Sequence, residues 1–517
     1  MNLTTDPWIP VTDAGGEARN VSLREVFREG NGLRDLAVRP HERVALMRLL
    51  ICIAQAALDG PADSDALESC AKDLRAATLR YLDEWQESFE LFHPEKPFLQ
   101  FPGLAKVPKP AKKKTSKTGE GETPNEIEEG TAASKLDFAL ATGNNTTLFD
   151  HGAANQEVRA FSPTQLALML LTFQCFSPGG RIGVATWRDV ETPGKGSSGH
   201  APCAPSAMLH AFVRRETLIA TIHANLLSRR TVTKNYQRDW GRPVWEQMPE
   251  SLRDAAAIAN ATTTYLGRLT PLARAVLLRP DGRTLLLANG LDYPTPPDFP
   301  AEPTASLVKK RDDSGYALVG AGNRALWREL PAVVVKRLGD DGAGGPLVFS
   351  ELTDGAAFDL WVGALLTDKA SILDTVEGVY SVPARMLNES GRRAYEDEVK
   401  ESERVAWKLG DACKTYRQHL ELKPQNYPEQ SVALRRYWTG VEQRLSLLHN
   451  YLRAQDGSEE QAAALVRWRA ALWSMARDAF HSACANETSR QRRAHALGLR
   501  ALFKSKQQKP ITTTQPT

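Results

Sequence analysis

The sequence predicts an α+β protein in which a large mixed α/β N-terminal domain, residues 1–366, precedes a C-terminal antiparallel four-helix bundle at 367–505. Three observations support this prediction. Apolar residues follow a helical period beyond about residue 370, a stretch before that point is rich in strand-type residues, and 517 residues exceed the usual size of one domain. We expect the last residues, 506–517, to form a disordered tail.

Helical patterns dominate the first third of the chain. Residues 41–58 form an amphipathic pattern that stops at Asp59-Gly60, a typical helix end. Residues 66–90 look helical again. Residues 162–175 predict a further helix, with Ser162 as its N-cap and a proline in its first turn.

Two polar segments interrupt these helices. Residues 106–130 are basic first and acidic second, with almost no large apolar residues, so we predict a mobile loop. That loop could be a solvated spacer or a lysine-rich arm that touches a polyanion. Residues 179–203 are rich in Gly, Ser and Pro and predict a long surface loop.

Residues 265–350 look rich in strands. The segment 274–290 (RAVLLRPDGRTLLLANG) resembles a β-hairpin whose turn is Asp281-Gly282. The β-branched run 332–338 (AVVVKRL) is of strand type.

The C-terminal segment predicts four helices joined by short connections, which favours an antiparallel bundle. We expect its tryptophans, including Trp407, to be core residues rather than a platform for stacked bases. The predicted helices cover about 389–420, 434–452, 465–479 and 488–503.

Composition excludes several classes of protein. The net charge of +3 permits a nucleic-acid partner without requiring one. The six cysteines form no CxxC pair, which argues against a zinc ribbon and a redox dithiol, so buried thiols in a reducing compartment are expected. We find no signal peptide pattern and no membrane-length apolar run, and we expect a cytoplasmic protein without a membrane partner.

Catalytic motifs are missing from the sequence. It has no phosphate-binding P-loop, no HExxH and no GxSxG, so we predict a binding protein rather than an enzyme, with no cofactor. Two segments could bind nucleic acid. SPGGRIG (177–183) offers backbone amides beside Arg181, although most such loops are simple turns. Residues 228–242 interleave arginines with Tyr236 and Trp240, a pattern equally typical of a solvated basic face.

Several segments, taken together and in order, resemble the CasA family, the large subunit of the type I-E CRISPR Cascade complex. The resemblance covers nearly the whole chain. It rests on NLTTDPWIPV (2–11), HPEKPFLQ (93–100), KLDFALATGNNTTLFDH (135–151), FSPGGRIG (176–183), HAFVRRETL (210–218) and DKASILDTVEGVY (368–380).

This resemblance implies a non-catalytic subunit that reads the protospacer-adjacent motif of double-stranded target DNA from the minor groove. It also implies a role in duplex opening and R-loop formation, and a docking surface for a separate helicase-nuclease. Base pairing with the guide RNA would read the rest of the target. The implied partners are the guide RNA, the backbone, small and handle-binding Cascade subunits, target DNA and the helicase-nuclease.

The resemblance also assigns residues. Phe149 is expected to anchor near the guide RNA 5′ handle, and Arg283 to be the minor-groove cation. Asp368-Lys369 falls where many relatives carry an Asn-Gln wedge, so motif preference should differ or neighbouring residues should act as the wedge. Some relatives have a four-cysteine zinc site, which residues 265–290 lack, so no metal is predicted. The remaining expected DNA contacts are Lys112, Lys113, Lys114, Asn145, Gly179, Gly180 and Arg181.

Two alternatives belong to other classes of protein. The chain could be a scaffold that holds partner proteins through its helical bundle with little direct reading of DNA. It could also be a nuclease with a carboxylate pair that no motif reveals. Retention of motif-bearing DNA would separate the first from a DNA reader, and metal-dependent cleavage would establish the second.

Overall fold

The chain forms two compact units. Unit 1 comprises Met1–Thr353 and Phe358–Ser381, and unit 2 comprises Asp354–Ala357 and Val382–Thr517. The domain boundary predicted at residue 366 falls inside a strand of unit 1. The structure is a computed structural model, and it describes residues 1–107, 130–138, 159–177, 182–194, 202–204, 208–293, 302–309, 316–318, 324–336, 344–352, 357–368, 371–420 and 428–503.

The strands of the described residues belong to small sheets rather than to one large sheet. Their order is β2-β1-β3, β4-β6-β7, β5-β10-β9, β11-β12 and β14-β13-β8. In chain order the strands are β1 (Ile9–Asp13), β2 (Ala18–Val21), β3 (Leu33–Leu36), β4 (Ala105–Lys106), β5 (Thr131–Ala132), β6 (Ala185–Trp187), β7 (Val190–Glu191), β8 (His210–Arg214), β9 (Arg274–Leu278), β10 (Thr284–Asn289), β11 (Leu307–Lys309), β12 (Tyr316–Leu318), β13 (Phe358–Asp368) and β14 (Ser371–Val382).

Helices account for more of the described chain than strands do, so the mixed fold class is confirmed. Unit 1 contains α1 (Leu23–Arg28), α2 (Pro40–Ala57), α3 (Ser64–Ser69), α4 (Leu74–Glu84), α5 (Pro163–Phe176), α6 (Leu218–His223), α7 (Arg229–Thr231), α8 (Ala255–Thr263), α9 (Tyr265–Leu269) and α10 (Leu330–Val333). Unit 2 contains α11 (Glu389–His419), α12 (Pro428–Glu442), α13 (Leu445–Arg453), α14 (Glu459–Ala483) and α15 (Ser489–Phe503).

Helix α2 is the central element of unit 1. It contacts α4, α5, α6, α9 and β13, and it is buried on nearly every face. Because so much of its surface is buried, its polar side chains need internal partners. Arg48 finds one in Glu302, and its Nε also donates to the carbonyl of Leu269 at 3.0 Å. Buried polar bonds thus connect α2 to segments more than 200 residues away in the chain.

Local signals in the sequence correctly predict three elements. Helix α2 ends at Ala57, just before Asp59 and Gly60, which both have positive φ and form the expected stop. Helix α5 begins with a capping box in which the Ser162 hydroxyl accepts from the Gln165 amide. The hairpin also forms: β9 and β10 pair antiparallel, with Leu285 opposite Leu278.

One strand prediction and one loop prediction are wrong. Residues 332–338 were expected to be a strand, but α10 ends at Val333 and the described residues through Lys336 form no strand. Pro331 lies in the first turn of α10, and both Val333 and Val334 are fully buried. Burial rather than sheet pairing therefore accounts for these apolar residues. The segment 179–203 is not only a surface loop, because β6 and β7 form a hairpin within it and Trp187 is buried.

Unit 2 is built from helices, with five α-helices among its described residues. Helix α11 packs against α12, α14 and α15. The helix predicted at 434–452 is divided into α12 and α13 around Gln443-Arg444. Trp468 is fully buried as expected, whereas Trp407 is 58% exposed, so the prediction of a core role is wrong for Trp407. The antiparallel four-helix arrangement stays a prediction.

Within the described part of the chain, no helix is both long enough and apolar enough to cross a membrane.

Candidate nucleic-acid interface

The hairpin of β9 and β10 carries Arg283, one of the residues that the sequence assigns to DNA. Gly282 adopts φ +70° in the turn, and its amide donates to the carbonyl of Arg279 at 3.1 Å. The Asp281 carboxylate accepts from the backbone amide of Arg283 at 2.8 Å. These bonds fix the turn, so the backbone of Arg283 has a defined position at the end of a buried hairpin.

Described residues that precede and follow the segment 139–158 in the chain bond to the turn of this hairpin. On one side, the Ala133 amide donates to the carbonyl of Arg283 at 2.8 Å, where β5 pairs with β10. On the other side, the Phe161 amide donates to the carbonyl of Gly282 at 2.9 Å. Backbone bonds therefore hold the chain against the hairpin turn shortly before and shortly after this segment.

The described residues on either side of the segment 178–181 also lie beside the hairpin. Ser177, the residue before it, is buried, and its hydroxyl accepts from Nε of Arg274 at 2.6 Å. After it, Gly183 approaches β10, where a Cβ on this glycine would lie 3.9 Å from the carbonyl oxygen of Leu287. Ser177 is thus bonded to the hairpin that bears Arg283, and Gly183 lies close to the same hairpin.

A buried polar network holds the base of the hairpin. Nη1 of Arg274 donates to Oδ1 of Asn289 at 3.0 Å, across the first pair of the ladder. The Gln174 side chain accepts from the Arg274 amide and donates to the Arg274 carbonyl, both at 2.9 Å. Nδ2 of the Asn289 side chain donates to the carbonyl of Pro193 at 2.6 Å. Burial lowers the pKa of Arg274.

The segment 93–103 supports the hairpin from another side. The side-chain oxygen of Gln100 accepts from the amide of Leu278 at 2.7 Å, and its Nε2 donates to the carbonyl of Leu91 at 2.7 Å. The amide of Phe101 donates to the carbonyl of Val276 at 3.0 Å. Its ring packs edge-on against Trp187, with ring centroids 4.9 Å apart. Through these hydrogen bonds, this proline-containing segment packs along β9 and stabilises it.

Three exposed arginines lie at the turn end of the hairpin. Arg279 and Arg283 belong to the turn itself, and Arg159 precedes by two residues the Phe161 amide that binds Gly282. Asp281 is the acidic residue of the turn, and its carboxylate is engaged by backbone amides. Three arginines and one aspartate thus lie among the described residues at this end of the hairpin, a composition that suits contact with a phosphate backbone or a narrow groove.

Most of the other sequence-predicted site residues cannot be placed by the structure. Asp368 is the last residue of β13, in the sheet with β14 and β8 rather than in the hairpin sheet. The predictions for Lys112, Lys113, Lys114, Asn145, Phe149, Gly179, Gly180, Arg181 and Lys369 lie outside the described residues.

In the basic segment 228–242, Arg229 and both aromatic residues pack within the fold. Arg229 pairs with Asp59 at 2.8 Å and covers the ring of Trp240, with its guanidinium carbon 4.9 Å from the ring centroid. Trp240 in turn packs against Tyr265, with centroids 5.4 Å apart, and Tyr236 is buried. Because Tyr236 and Trp240 pack inside the fold, these contacts favour a structural role for the two rings over the stacking of nucleic-acid bases.

Reasoning from the sequence missed the buried network under the hairpin. Its signal is present in retrospect, as single polar residues at the edges of apolar runs: Gln174 near the end of α5, Arg274 before AVLL, and Asn289 after LLLA. A polar side chain in such a place needs a buried partner. The sequence does not say which partner, because the bonds join residues about 100 positions apart.

The described part of the chain gives little evidence for a metal-binding site or for a reactive cysteine. No group of three or more His, Cys, Asp or Glu side chains there could hold a metal ion. Five of the six cysteines are buried, Cys70 being the half-buried one, as the sequence predicts for structural thiols. Burial raises the pKa of Cys175 to about 11 and that of Cys52 to about 12, so both stay protonated at neutral pH.

Comparison with known proteins identifies similar chains along nearly the full length. A family model described as CRISPR-associated protein Cse1 matches residues 2–479. The CRISPR-associated protein CasA/Cse1 of Thermus thermophilus is 28% identical over 513 residues, covering 93% of this chain and 91% of that protein.

Solved structures share the fold. The crystal structure of Thermobifida fusca Cse1 matches with a TM-score of 0.74 at 18% identity, covering 97% of this chain and 98% of that one. The crystal structure of Thermus thermophilus CasA matches with a TM-score of 0.70 at 22% identity and the same coverage. A chain from a structure described as a CRISPR RNA-guided surveillance complex matches with a TM-score of 0.67 at 18% identity, covering 98% of this chain and 99% of that one.

Proposed function

Because the chain belongs to the CRISPR-associated protein Cse1 family, we propose that it is the large, non-catalytic subunit of a type I-E CRISPR RNA-guided surveillance complex. In this role it recognises the protospacer-adjacent motif of double-stranded target DNA and promotes duplex opening and R-loop formation. One observation carries the proposal. Two segments that contain predicted recognition residues, 139–158 and 178–181, have their described flanks bonded to or packed on the hairpin that bears Arg283.

The hairpin suits recognition from the minor groove. A two-stranded turn with exposed arginines can enter a narrow groove, where the negative potential is strongest and a guanidinium is favoured. Minor-groove edges distinguish A·T from G·C pairs but little else, so a reader of this kind tolerates several motif sequences. Arg283 provides the cation in this proposal, and Arg279 and Arg159 contact the flanking phosphates.

The other recognition residues keep the roles that the family resemblance implies. Gly179, Gly180 and Arg181 approach the motif, Asp368-Lys369 acts at the wedge, and Asn145 contacts DNA. Phe149 anchors near the guide RNA handle, and Lys112–Lys114 follow DNA phosphates with salt-dependent affinity. The proposed partners are the guide RNA, the backbone, small and handle-binding subunits, and a helicase-nuclease that docks on the bound complex.

The test measures motif-dependent DNA binding by the reconstituted complex with one arginine changed. Arg283→Ala is expected to weaken binding of a motif-bearing duplex by about 1–3 kcal/mol, roughly 5- to 150-fold, because it removes a groove contact. Arg75→Ala is the matched control, since Arg75 is also an exposed arginine but lies on α4, outside the hairpin. The control is expected to bind as the unchanged complex does.

Binding by complexes assembled with and without this chain distinguishes the proposal from the scaffold alternative. Equal affinity for motif-bearing duplex in both preparations would contradict DNA recognition by this subunit and favour a scaffold. Loss of complex assembly in the absence of this chain, with no effect of Arg283→Ala in its presence, would lead to the same conclusion. Metal-dependent cleavage by the isolated chain would instead indicate a nuclease.

A further inference from the structure

We propose that a cleft in unit 1 binds a nucleotide, with Arg80 and Arg242 holding its phosphate and Trp85 stacking on its base. The cleft has a volume of about 600 Å³, within the usual range of pockets that hold small ligands. It is lined by α4, the end of α2 and residues of the segment 240–246. The inference does not depend on the proposed function, because no residue of the cleft belongs to the hairpin of β9 and β10.

Two arginine side chains at the cleft lack a protein partner. Arg80 lies on α4 and Arg242 follows Gly241, and neither forms an ion pair or a side-chain hydrogen bond with a described residue. Arg229, by contrast, is paired with Asp59 at 2.8 Å. A guanidinium group is a planar fork of N–H donors that matches the oxygens of a phosphate. The two arginines without partners can therefore donate to a phosphate that enters the cleft.

The backbone of Arg242 is held in place although its side chain has no partner. Its amide donates to Oδ1 of Asn260 at 3.0 Å, and its carbonyl accepts from Nδ2 of Asn260 at 2.8 Å. The preceding Gly241 has φ +72°, and a Cβ on it would clash with Oγ1 of Thr264, the N-cap of α9. A ligand therefore orders only the Arg242 side chain, which lowers the entropic cost of binding.

Trp85 provides the aromatic surface for a base. It directly follows α4, is half-buried, and lies at a tilt to Tyr81 with ring centroids 6.4 Å apart. The ring of Trp240, the other tryptophan of the cleft, is covered by Arg229 and packs against Tyr265. Trp85 is therefore the tryptophan of the cleft with ring surface left for stacking, an interaction that every nucleobase can make.

The acidic residues of the cleft favour a nucleotide over a simple anion. Asp59 is paired with Arg229, and the Glu246 carboxylate accepts from the hydroxyl of Tyr81. Burial raises the pKa of Glu246, and a larger neutral fraction weakens its repulsion of a bound anion. Glu84 is exposed at the cleft. Its carboxylate can accept from a ribose hydroxyl or an exocyclic amino group, donors that a nucleotide carries and that inorganic phosphate does not offer in this position.

The experiment measures binding to the purified full-length chain by titration calorimetry. The probes are the four ribonucleoside 5′-monophosphates, ribose 5-phosphate, inorganic phosphate and a single-stranded DNA octamer. We expect Arg80→Ala and Arg242→Ala each to weaken mononucleotide binding by roughly 10- to 150-fold, because each removes charge-assisted hydrogen bonds to the phosphate. We expect Trp85→Leu to weaken it by roughly 5- to 150-fold through lost stacking, and to leave the binding of ribose 5-phosphate unchanged.

Arg75→Ala is the control for the two arginine variants. Arg75 is an exposed arginine on the same helix as Arg80, but it does not line the cleft. Its replacement removes the same charge from the chain, so it accounts for any general electrostatic attraction of anions. We expect this variant to bind every probe as the unchanged chain does.

Three results would overturn the inference. The unchanged chain could bind neither the mononucleotides nor the octamer at millimolar concentration. Inorganic phosphate could bind as tightly as the mononucleotides, which would show an adventitious anion site only. Binding could survive Arg80→Ala, Arg242→Ala and Trp85→Leu, which would place the nucleotide elsewhere on the chain.

Binding that is weakened by all three variants supports the site, whichever nucleotide probe is bound. Mononucleotides that bind at least as tightly as the octamer indicate that the cleft takes a free nucleotide. Tighter binding of the octamer, with the same sensitivity to the three variants, indicates that the cleft takes an unpaired nucleotide of a strand.

Discussion

The carboxylate of Glu302 lies between two buried guanidinium groups, those of Arg48 and Arg268. Its Oε2 accepts from Nη2 of Arg268 at 3.2 Å, and its Oε1 contacts Arg48. All three side chains are almost completely buried. Arg268 also donates to the carbonyl of Pro202 at 2.6 Å. Removing each of these charged groups from water costs free energy. The cluster is therefore stable only while each charge has an opposite charge nearby and each N–H donor has an acceptor.

Glu302→Gln is expected to destabilise unit 1 by about 3–5 kcal/mol, because it removes the charge that both guanidinium groups contact while keeping the shape of the side chain. Thermal or denaturant unfolding of the purified chain measures the change. Glu29→Gln is the matched control, since Glu29 forms a solvent-exposed pair with Arg19 at 2.7 Å and is expected to change stability by less than about 1 kcal/mol. Equal effects of the two variants would contradict the importance of the buried cluster.

At the scale of elements, the hairpin of β9 and β10 depends on one close backbone approach. Gly282 has φ +70°, and a Cβ on it would lie only 2.2 Å from the carbonyl oxygen of Phe161. The turn therefore requires glycine for two reasons, the backbone conformation and the space. The same approach places the Phe161 amide against the carbonyl of Gly282, which ties the turn to the start of α5.

Gly282→Ala is expected to separate the turn from Phe161 and to weaken motif-bearing duplex binding as much as Arg283→Ala does, because Arg283 loses its fixed position. Gly103→Ala is the control that separates the effect of backbone strain from the effect of the steric clash. Gly103 has φ +74°, but a Cβ at this position would meet no atom within 4 Å, so this control carries the backbone strain of about 1 kcal/mol without the clash. Binding measured for both variants checks the expectation, and retained binding by Gly282→Ala would refute it.

At the scale of the whole molecule, each compact unit contains buried histidines that stay neutral. In unit 1, burial lowers the pKa of His41 and of His210 to about 3, with Arg39 and Arg48 respectively adding to the effect. In unit 2, burial lowers the pKa of His449 to about 4. Nδ1 of His481 lies 3.0 Å from Nε2 of His495, and burial with this neighbour lowers the pKa of His495.

Lowered histidine pKa values make both units sensitive to acid. The unfolded chain takes up these protons below about pH 6.5, whereas the folded chain does not until much lower pH. Stability is therefore fully present above about pH 6.5 and decreases as the pH falls below it. We expect each of His41 and His210 to remove about 1.4 kcal/mol from unit 1 per pH unit once the pH is well below about 6.5.

Unfolding midpoints at about pH 7.5, 6.5 and 5.5 measure this dependence, since the range spans the unfolded histidine pKa. His210→Gln is expected to halve the histidine contribution to the slope for unit 1, even where it lowers stability at neutral pH. The exposed His419 provides the control, and His419→Gln is expected to leave the slope unchanged. An unchanged slope in His210→Gln would contradict the assignment of acid sensitivity to this residue.

The sequence by itself determined the elements whose signals are local. The end of α2 at Asp59-Gly60, the capping box of α5 and the turn at Asp281-Gly282 each depend on a few adjacent residues, so their patterns predict them correctly. The same holds for the family, because its motifs are contiguous segments. Of the candidate site, Arg283 at the hairpin turn could be placed from the sequence in the same way.

Only the tertiary structure decided which distant residues meet. It buried Val333 and Val334 after a helical turn where their β-branched side chains predict a strand, and it left Trp407 exposed where helical spacing predicts a core residue. It also joined Ser177, Arg274 and Asn289 under the hairpin. The physical reason is that burial and hydrogen-bond satisfaction are properties of the packed chain. Periodicity specifies which face is apolar, but not what the rest of the chain brings to that face.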